Sequence, residues 1–290
     1  MEKFERSGTP YLYIATTSRT SDHDILRIYR SIGLSGFVQV DSVALSNINL
    51  YYTYRDLDAV MRGDSIKLYA TYEVLERSTN NNDLKYWIFN DGPDSSFNYQ
   101  ATRTVEGEYG INFRFPSLAV LSPGYLICLY ETDANIKYSF SNDYGFTLVT
   151  YDFPFNYADS TETTPFTEWW AFPPLARGFN TVFTRDGNLY FVESSCSSGG
   201  MSWGTPVLIS NEHLYSSYFL RDQIPYVPKL ANRYDMLVPT VIWARDFSHY
   251  AYPVFFYDST YLCVDNMNAV RINENNVASS GPLSFSVSGV

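Results

Sequence analysis

Arginines recur at one place in this 290-residue sequence. Alignment on a repeated proline (Pro116, Pro173, Pro228) puts Arg114, Ala171 and Tyr226 at equivalent points, with Arg55 close by in an earlier copy. Guanidinium groups gathered in this way would offer fixed, forked donors to a carboxylate, a sulfate or sugar hydroxyls. The plain alternative is that they pair with Asp56, Glu73 or Glu131 as structural links. A second feature is aromatic. The irregular stretch Asp152 to Trp170 sets Trp169 and Trp170 on or beside a surface loop, where an exposed ring would bind a sugar face or a protein partner. If the pair lies in a strand, one ring must face the core.

Other reactive side chains are scattered. His23, His213 and His249 have no second ligand at metal spacing, and no Ser or Cys stands in a nucleophile elbow. Cys128, Cys196 and Cys263 are odd in number and far apart, which disfavours a disulfide framework and a zinc site. Cys128 and Cys263 sit in apolar runs and read as small buried hydrophobes. The segments Asn80 to Asp83, Asp91 to Asp94 and Asn273 to Asn276 are turn chemistry that could hold a structural calcium, though none has the spacing of a known calcium loop. No other cofactor is expected.

The elements that must position these residues are strands. Tyr (26) and Phe (20) are abundant, Val, Ile and Thr recur in short runs, and no sustained helical stripe exists. A net charge of -11 with only 20 Lys plus Arg excludes nucleic acid and an anionic bilayer as natural partners. Every apolar run is broken before it could span a membrane, and MEKFERSG has no apolar signal segment. A soluble product without a signal peptide is expected. It would be cytoplasmic, or reach an extracellular or virion surface by a leaderless route or by lysis.

The sequence repeats. Phe115-Pro-Ser-Leu-Ala119, Phe172-Pro-Pro-Leu-Ala176 and Val227-Pro-Lys-Leu-Ala231 lie 57 and 55 residues apart, with a weaker copy at Arg55 to Ala59. Second strands are expected at Ile66 to Ala70, Tyr125 to Tyr130, Asn188 to Val192 and Met236 to Trp243. Third strands are expected at Leu84 to Asp91, Ile136 to Asp143 and Tyr252 to Asp258. Tyr11 to Ser18 and Ile25 to Ser31 read as strands two and three of a unit lacking its other strands, one of which Leu283 to Gly289 could supply. About five four-stranded antiparallel units in one domain, residues 1–290, make an all-β propeller. Five blades are preferred and six is the alternative, with the ring closed by the two chain ends, which would leave no open sheet edge.

Phe113-Arg114-Phe115-Pro116 resembles the Phe/Tyr-Arg-Ile-Pro motif of the sialidase family, and Ser141 to Leu148 resembles the Asp-box turn of such propellers, with a degenerate copy at Cys196 to Trp203. Arg55 to Thr71 resembles the Arg-Asp-Pro run of five-bladed arabinanase and xylosidase-type glycoside hydrolases, with Leu57 in place of proline. The sialidase resemblance implies Arg114 as a first substrate-binding arginine, completed by Arg177 and Arg233. The second resemblance implies Asp56 as a catalytic carboxylate. Neither brings a full active site, because Phe113-Arg114 stands where a Glu would be needed and no nucleophile pair can be placed. The reading that follows is a non-catalytic recognition propeller binding a glycan or protein receptor through Arg55, Arg114, Tyr226, Trp169, Trp170, Arg177 and Arg233. It would act as a surface or virion component, or as a homo-oligomer or other assembly component. The alternative is a divergent glycoside hydrolase using Asp56.

Overall fold

The computed structural model describes residues 2–19, 24–33, 35–45, 50–76, 81–94, 96–107, 113–132, 135–172, 176–197, 200–210, 229–231, 240–245, 254–258 and 268–270. All regular elements among them are strands, in five antiparallel sheets that each follow chain order. Sheet one holds β1 (Glu2–Arg6), β2 (Thr9–Arg19), β3 (Asp24–Ile32) and β4 (Val38–Leu45). Sheet two holds β5 (Leu50–Arg62), β6 (Ser65–Glu76), β7 (Asn81–Asp91) and β8 (Phe97–Glu106). Sheet three holds β9 (Phe113–Leu121), β10 (Tyr125–Thr132), β11 (Asn135–Ser141) and β12 (Val149–Asp152). Sheet four holds β13 (Glu162–Phe172), β14 (Ala176–Arg185), β15 (Asn188–Ser197) and β16 (Gly200–Trp203), with β17 (Val207–Ser210) also paired to β15. Sheet five holds β18 (Lys229–Ala231), β19 (Thr240–Arg245), β20 (Val254–Asp258) and β21 (Asn268–Val270).

Tight hairpins follow from turn chemistry. Ser7-Gly8 and Asp186-Gly187 both place two successive residues at positive φ, the two-residue loop whose twist matches that of the flanking strands. The chain forms two compact units, Met1–Phe153 with Ser197–Gly200, and Pro154–Cys196 with Met201–Val290.

In the first unit, sheet two is covered on both faces. Leu68, Ala70, Tyr72 and Val74 pack with Tyr13, Leu26 and Ile28 of sheet one. Tyr69, Tyr86 and Ile88 pack with Leu118, Val120, Leu126 and Cys128 of sheet three. A strand buried on both sides reads as a continuous apolar run, which is why β6 shows little alternation. Cys128 is fully buried, and burial raises its thiol pKa. In the second unit Phe179, Val182, Phe183, Leu189 and Val192 are buried.

Sheets one and two are also joined by charge. Asp91 is fully buried and accepts from Tyr13 Oη and Arg30 Nη1, each at 2.7 Å, while Arg6 donates to the main-chain oxygens of Asp91 and Gly92 at 2.8 Å. A carboxylate taken out of water needs such partners. Between sheets two and three, the turn after β11 is docked by Tyr69 Oη on Tyr144 O (3.0 Å) and Tyr86 Oη on Gly145 O (2.5 Å). Within that turn Ser141 Oγ accepts from Gly145 N (2.9 Å), and Asp143 accepts from Thr147 N (2.9 Å) and Thr147 Oγ1 (2.7 Å).

Three expectations need correcting. Tyr11–Ser18 and Ile25–Ser31 are second and third strands, but their sheet is complete within residues 2–45, because β1 and β4 fill its other places. Phe172 to Ala176 is no first strand: β13 ends at Phe172, β14 starts at Ala176, and Asn188 to Val192 belongs to the third strand β15. The true counterpart of Phe115-Pro116 is Thr164-Pro165, since both lie at register shifts and Phe115 and Thr164 share a φ of 49° and 47°. Trp169 and Trp170 are within β13, opposite Phe179 and Gly178, and not on a loop. The segment Leu283 to Gly289 lies outside the described residues.

A Cβ added at Gly178 would lie 1.7 Å from Ser194 O on the neighbouring strand. Gly178→Ala is therefore expected to destabilise the second unit by about 3 kcal/mol, read as a lower urea midpoint. Burial, the largest influence on Asp143, raises its pKa, but donors from Thr147 and Ser141 outweigh it and hold the carboxyl below its usual value. The turn's stabilisation is thus complete above the unfolded pKa near ~3.9 and is lost as pH falls through the lower folded value. Thermal melts should show wild type losing more stability than Asp143→Asn between pH 7 and about pH 3.

Candidate functional site

β5 and β9 are the first strands of neighbouring sheets and have no ladder between them. The edge of β9 turned away from β10 would therefore carry unpaired N–H groups. Carboxylates of sheet two fill that need. Asp58 Oδ2 accepts from Val120 N (2.5 Å), Asp56 Oδ2 accepts from Leu118 N (3.0 Å) and Ser117 Oγ (2.9 Å), and Glu73 Oε1 accepts from Phe115 N (2.9 Å). The Oδ1 atoms of the two aspartates accept from Leu57 N and Ala59 N. Asp58 and Glu73 are buried, and Asp56 is half-buried.

Strand register puts these acids on one face. Asp56 is directly opposite Thr71 on β6, and Glu73 is two residues further along. That diagonal relation corresponds to a separation of about 7 Å. The bulge between Tyr54 and Asp56 sets Arg55 out of register at the same end, and its side chain lies outside the described residues. Arg114 is half-buried, lies directly opposite Glu131 in the register of β9 and β10, and forms no ion pair among the described residues. Beside it Phe115 is held at a φ of 49°, a conformation a bulky residue takes only under constraint.

The other expected residues are not brought to this place. Trp169 is half-buried in β13, and the side chain of Trp170 lies outside the described residues. Arg177 is the second residue of β14, a second strand, and its charge opposes the burial that pushes the Cys196 thiol up to about 12. Tyr226, Arg233, His23, His213, His249 and Cys263 lie outside the described residues. Among the described residues no group of three or more His, Cys, Asp or Glu could hold a metal ion, and no helix is long and apolar enough to cross a membrane. Asp58 and Glu73 were not expected as site residues. The available signal was a lone acid inside an apolar strand, which must find donors when buried.

No family model and no curated protein matches the sequence. Among solved structures, the GH93 α-L-arabinofuranosidase of Fusarium graminearum, solved with arabinobiose, is similar at 12% identity and a TM-score of 0.50, over 82% of this chain and 66% of that one. The chain has a propeller-like fold. The α-L-arabinanase of Penicillium chrysogenum is similar at 12% identity and TM-score 0.47, over 82% of this chain and 67% of that one. The NanB sialidase of Streptococcus pneumoniae is similar at 11% identity and TM-score 0.49, over 98% of this chain and 59% of that one. This chain spans under two thirds of the length of the arabinofuranosidase and of the sialidase.

If Asp56 and Asp58 hold β9 in place, removing either should cost far more than removing a surface charge. Asp56→Ala is expected to lose about 2 to 4 kcal/mol by urea unfolding, since the two hydrogen bonds that this charged acceptor takes from β9 go with it. A neutral effect would mean that the carboxylate is not a joint.

Proposed function

We propose that this chain acts on glycans as a divergent glycoside hydrolase, with its site where Asp56 of β5, Glu73 of β6 and Arg114 of β9 stand. One observation carries this reading. Asp56 and Glu73 share a face of neighbouring strands and both reach the first strand of the next sheet, at Leu118 N and Phe115 N, so two carboxyl groups stand close together as glycoside hydrolysis requires. In this reading Glu73, the more buried acid, protonates the leaving oxygen, while Asp56 acts as base or nucleophile and Arg114 binds substrate hydroxyls or a carboxylate. The strained Phe115 supports it, because strain of this kind gathers at working sites. The fold shared with an arabinofuranosidase makes arabinose-containing glycans the first substrates to try.

A second reading has its own support. Main-chain donors of β9 already occupy both acids. That favours recognition of a glycan or protein receptor without hydrolysis, the carboxylates serving as joints and Arg114 as the ligand donor.

A panel of chromogenic glycosides, run beside a glycan array, separates the two. Hydrolysis is expected on at least one glycoside, and Glu73→Gln should lower its kcat about 10²- to 10⁴-fold while circular dichroism stays unchanged. Array binding with no turnover, lost in Arg114→Ala, would establish the second reading instead.

A further inference from the structure

At the hairpin end of β5 and β6, about 20 Å along the strand from Asp56, three cations gather in a chain that is otherwise acidic. Arg62 is exposed and stacks on the rings of Tyr144 (4.8 Å) and Phe146 (5.7 Å). Arg103 approaches the same Phe146 ring at 5.9 Å, and its Nε is buried with no hydrogen-bond partner. Lys67 is only 7% exposed and donates its ammonium to Gln100, the residue bulged out of the β7–β8 ladder. Burial, and then the charge of Arg62, lower the Lys67 pKa. None of the three has an ion pair among the described residues.

The nearby acids are spent elsewhere or stand apart. Asp143 bonds within its own turn, Asp58 bonds Ala59 N and Val120 N, and Asp64 makes no ion pair with Arg62. Like charges held together against aromatic rings repel one another until an anion joins them. Two planar guanidinium groups beside an exposed ring, with Phe146 at 45% exposure, suit a tetrahedral oxyanion carried on an apolar or sugar body.

We propose that Arg62, Lys67 and Arg103, with Tyr144 and Phe146, form a second binding site, specific for a sulfate or phosphate group and separate from the site at Asp56. The site does not depend on hydrolysis at Asp56 and Glu73, so its test reads binding alone.

Titration calorimetry on the full chain would use sodium sulfate, inorganic phosphate, and a sulfated disaccharide beside its unsulfated counterpart, all at matched ionic strength in sodium chloride. Saturable binding is expected for the sulfated disaccharide and for at least one inorganic ion. Arg62→Ala and Arg103→Ala should each raise the Kd about tenfold or more, the loss of one charge-assisted contact. Arg62 is exposed, so its variant keeps the fold, and an unchanged thermal melt confirms this. Tighter binding of the sulfated disaccharide than of free sulfate identifies a sulfated glycan as the ligand, and the reverse identifies a free ion. No saturable binding, equal binding of the unsulfated disaccharide, or a Kd unchanged in both variants would overturn the proposal.

Discussion

The hydrogen bonds that Asp56 and Asp58 accept from the edge of β9 hold the first unit in register. Apolar packing between sheets two and three is non-directional and would tolerate sliding by a residue pair. Two aspartates two residues apart, meeting two main-chain N–H groups two residues apart, fix the offset of one sheet against the next. Glu73 extends the row past the bulge at Phe115-Pro116. Sheets one and two follow the same plan with different chemistry, using Asp91 with Arg6, Tyr13 and Arg30. Each joint combines an apolar cluster with one or more buried carboxylates, and the charges supply the direction that the apolar cluster lacks.

Much of this was legible in the sequence, because β-branched and aromatic runs separated by Gly and Asp turns specify strands and hairpins. The units around Arg55 and Arg114 were found at their true places. The fourth sheet was misread because letters were matched where backbone conformation decides: Phe172-Pro-Pro-Leu-Ala176 spans the end of one strand and the start of the next, while Thr164-Pro165 has the geometry of Phe115-Pro116 without its letters. β1 and β4 were missed because Glu2–Arg6 is a mostly charged run and Gln39, Asp41 and Ser42 interrupt the apolar residues of Val38–Leu45. Asp56 was singled out as a catalytic carboxylate, and the structure shows it accepting hydrogen bonds from β9. Its partners on β9 could not be read, since they are a main-chain N–H 62 residues away and the hydroxyl of a serine, 61 residues away, with no distinguishing context.

One set of groups thus serves two demands. The carboxylates that bind β9 are also those that a glycan-cleaving site would need, and the strain at Phe115 sits where Glu73 pins the chain. Precision at such a site comes from its anchoring to strands, because an acid held by main-chain donors cannot drift between rotamers. The anchoring also limits substitution, since any change that frees the acid also loosens the joint.

The long reach of the aspartate bonds bears on how the chain is made. Sheet two emerges during synthesis well before the β9 amides that its aspartates will bind, which lie 62 residues downstream. In that interval its face bearing Val60, Tyr69, Tyr86 and Ile88 waits uncovered. Asp56 and Asp58, still hydrated, place two negative charges along the open edge and discourage a stray strand from adding there. The groups that later join the sheets first act as guards, so the half-built chain is protected until its own next strand arrives.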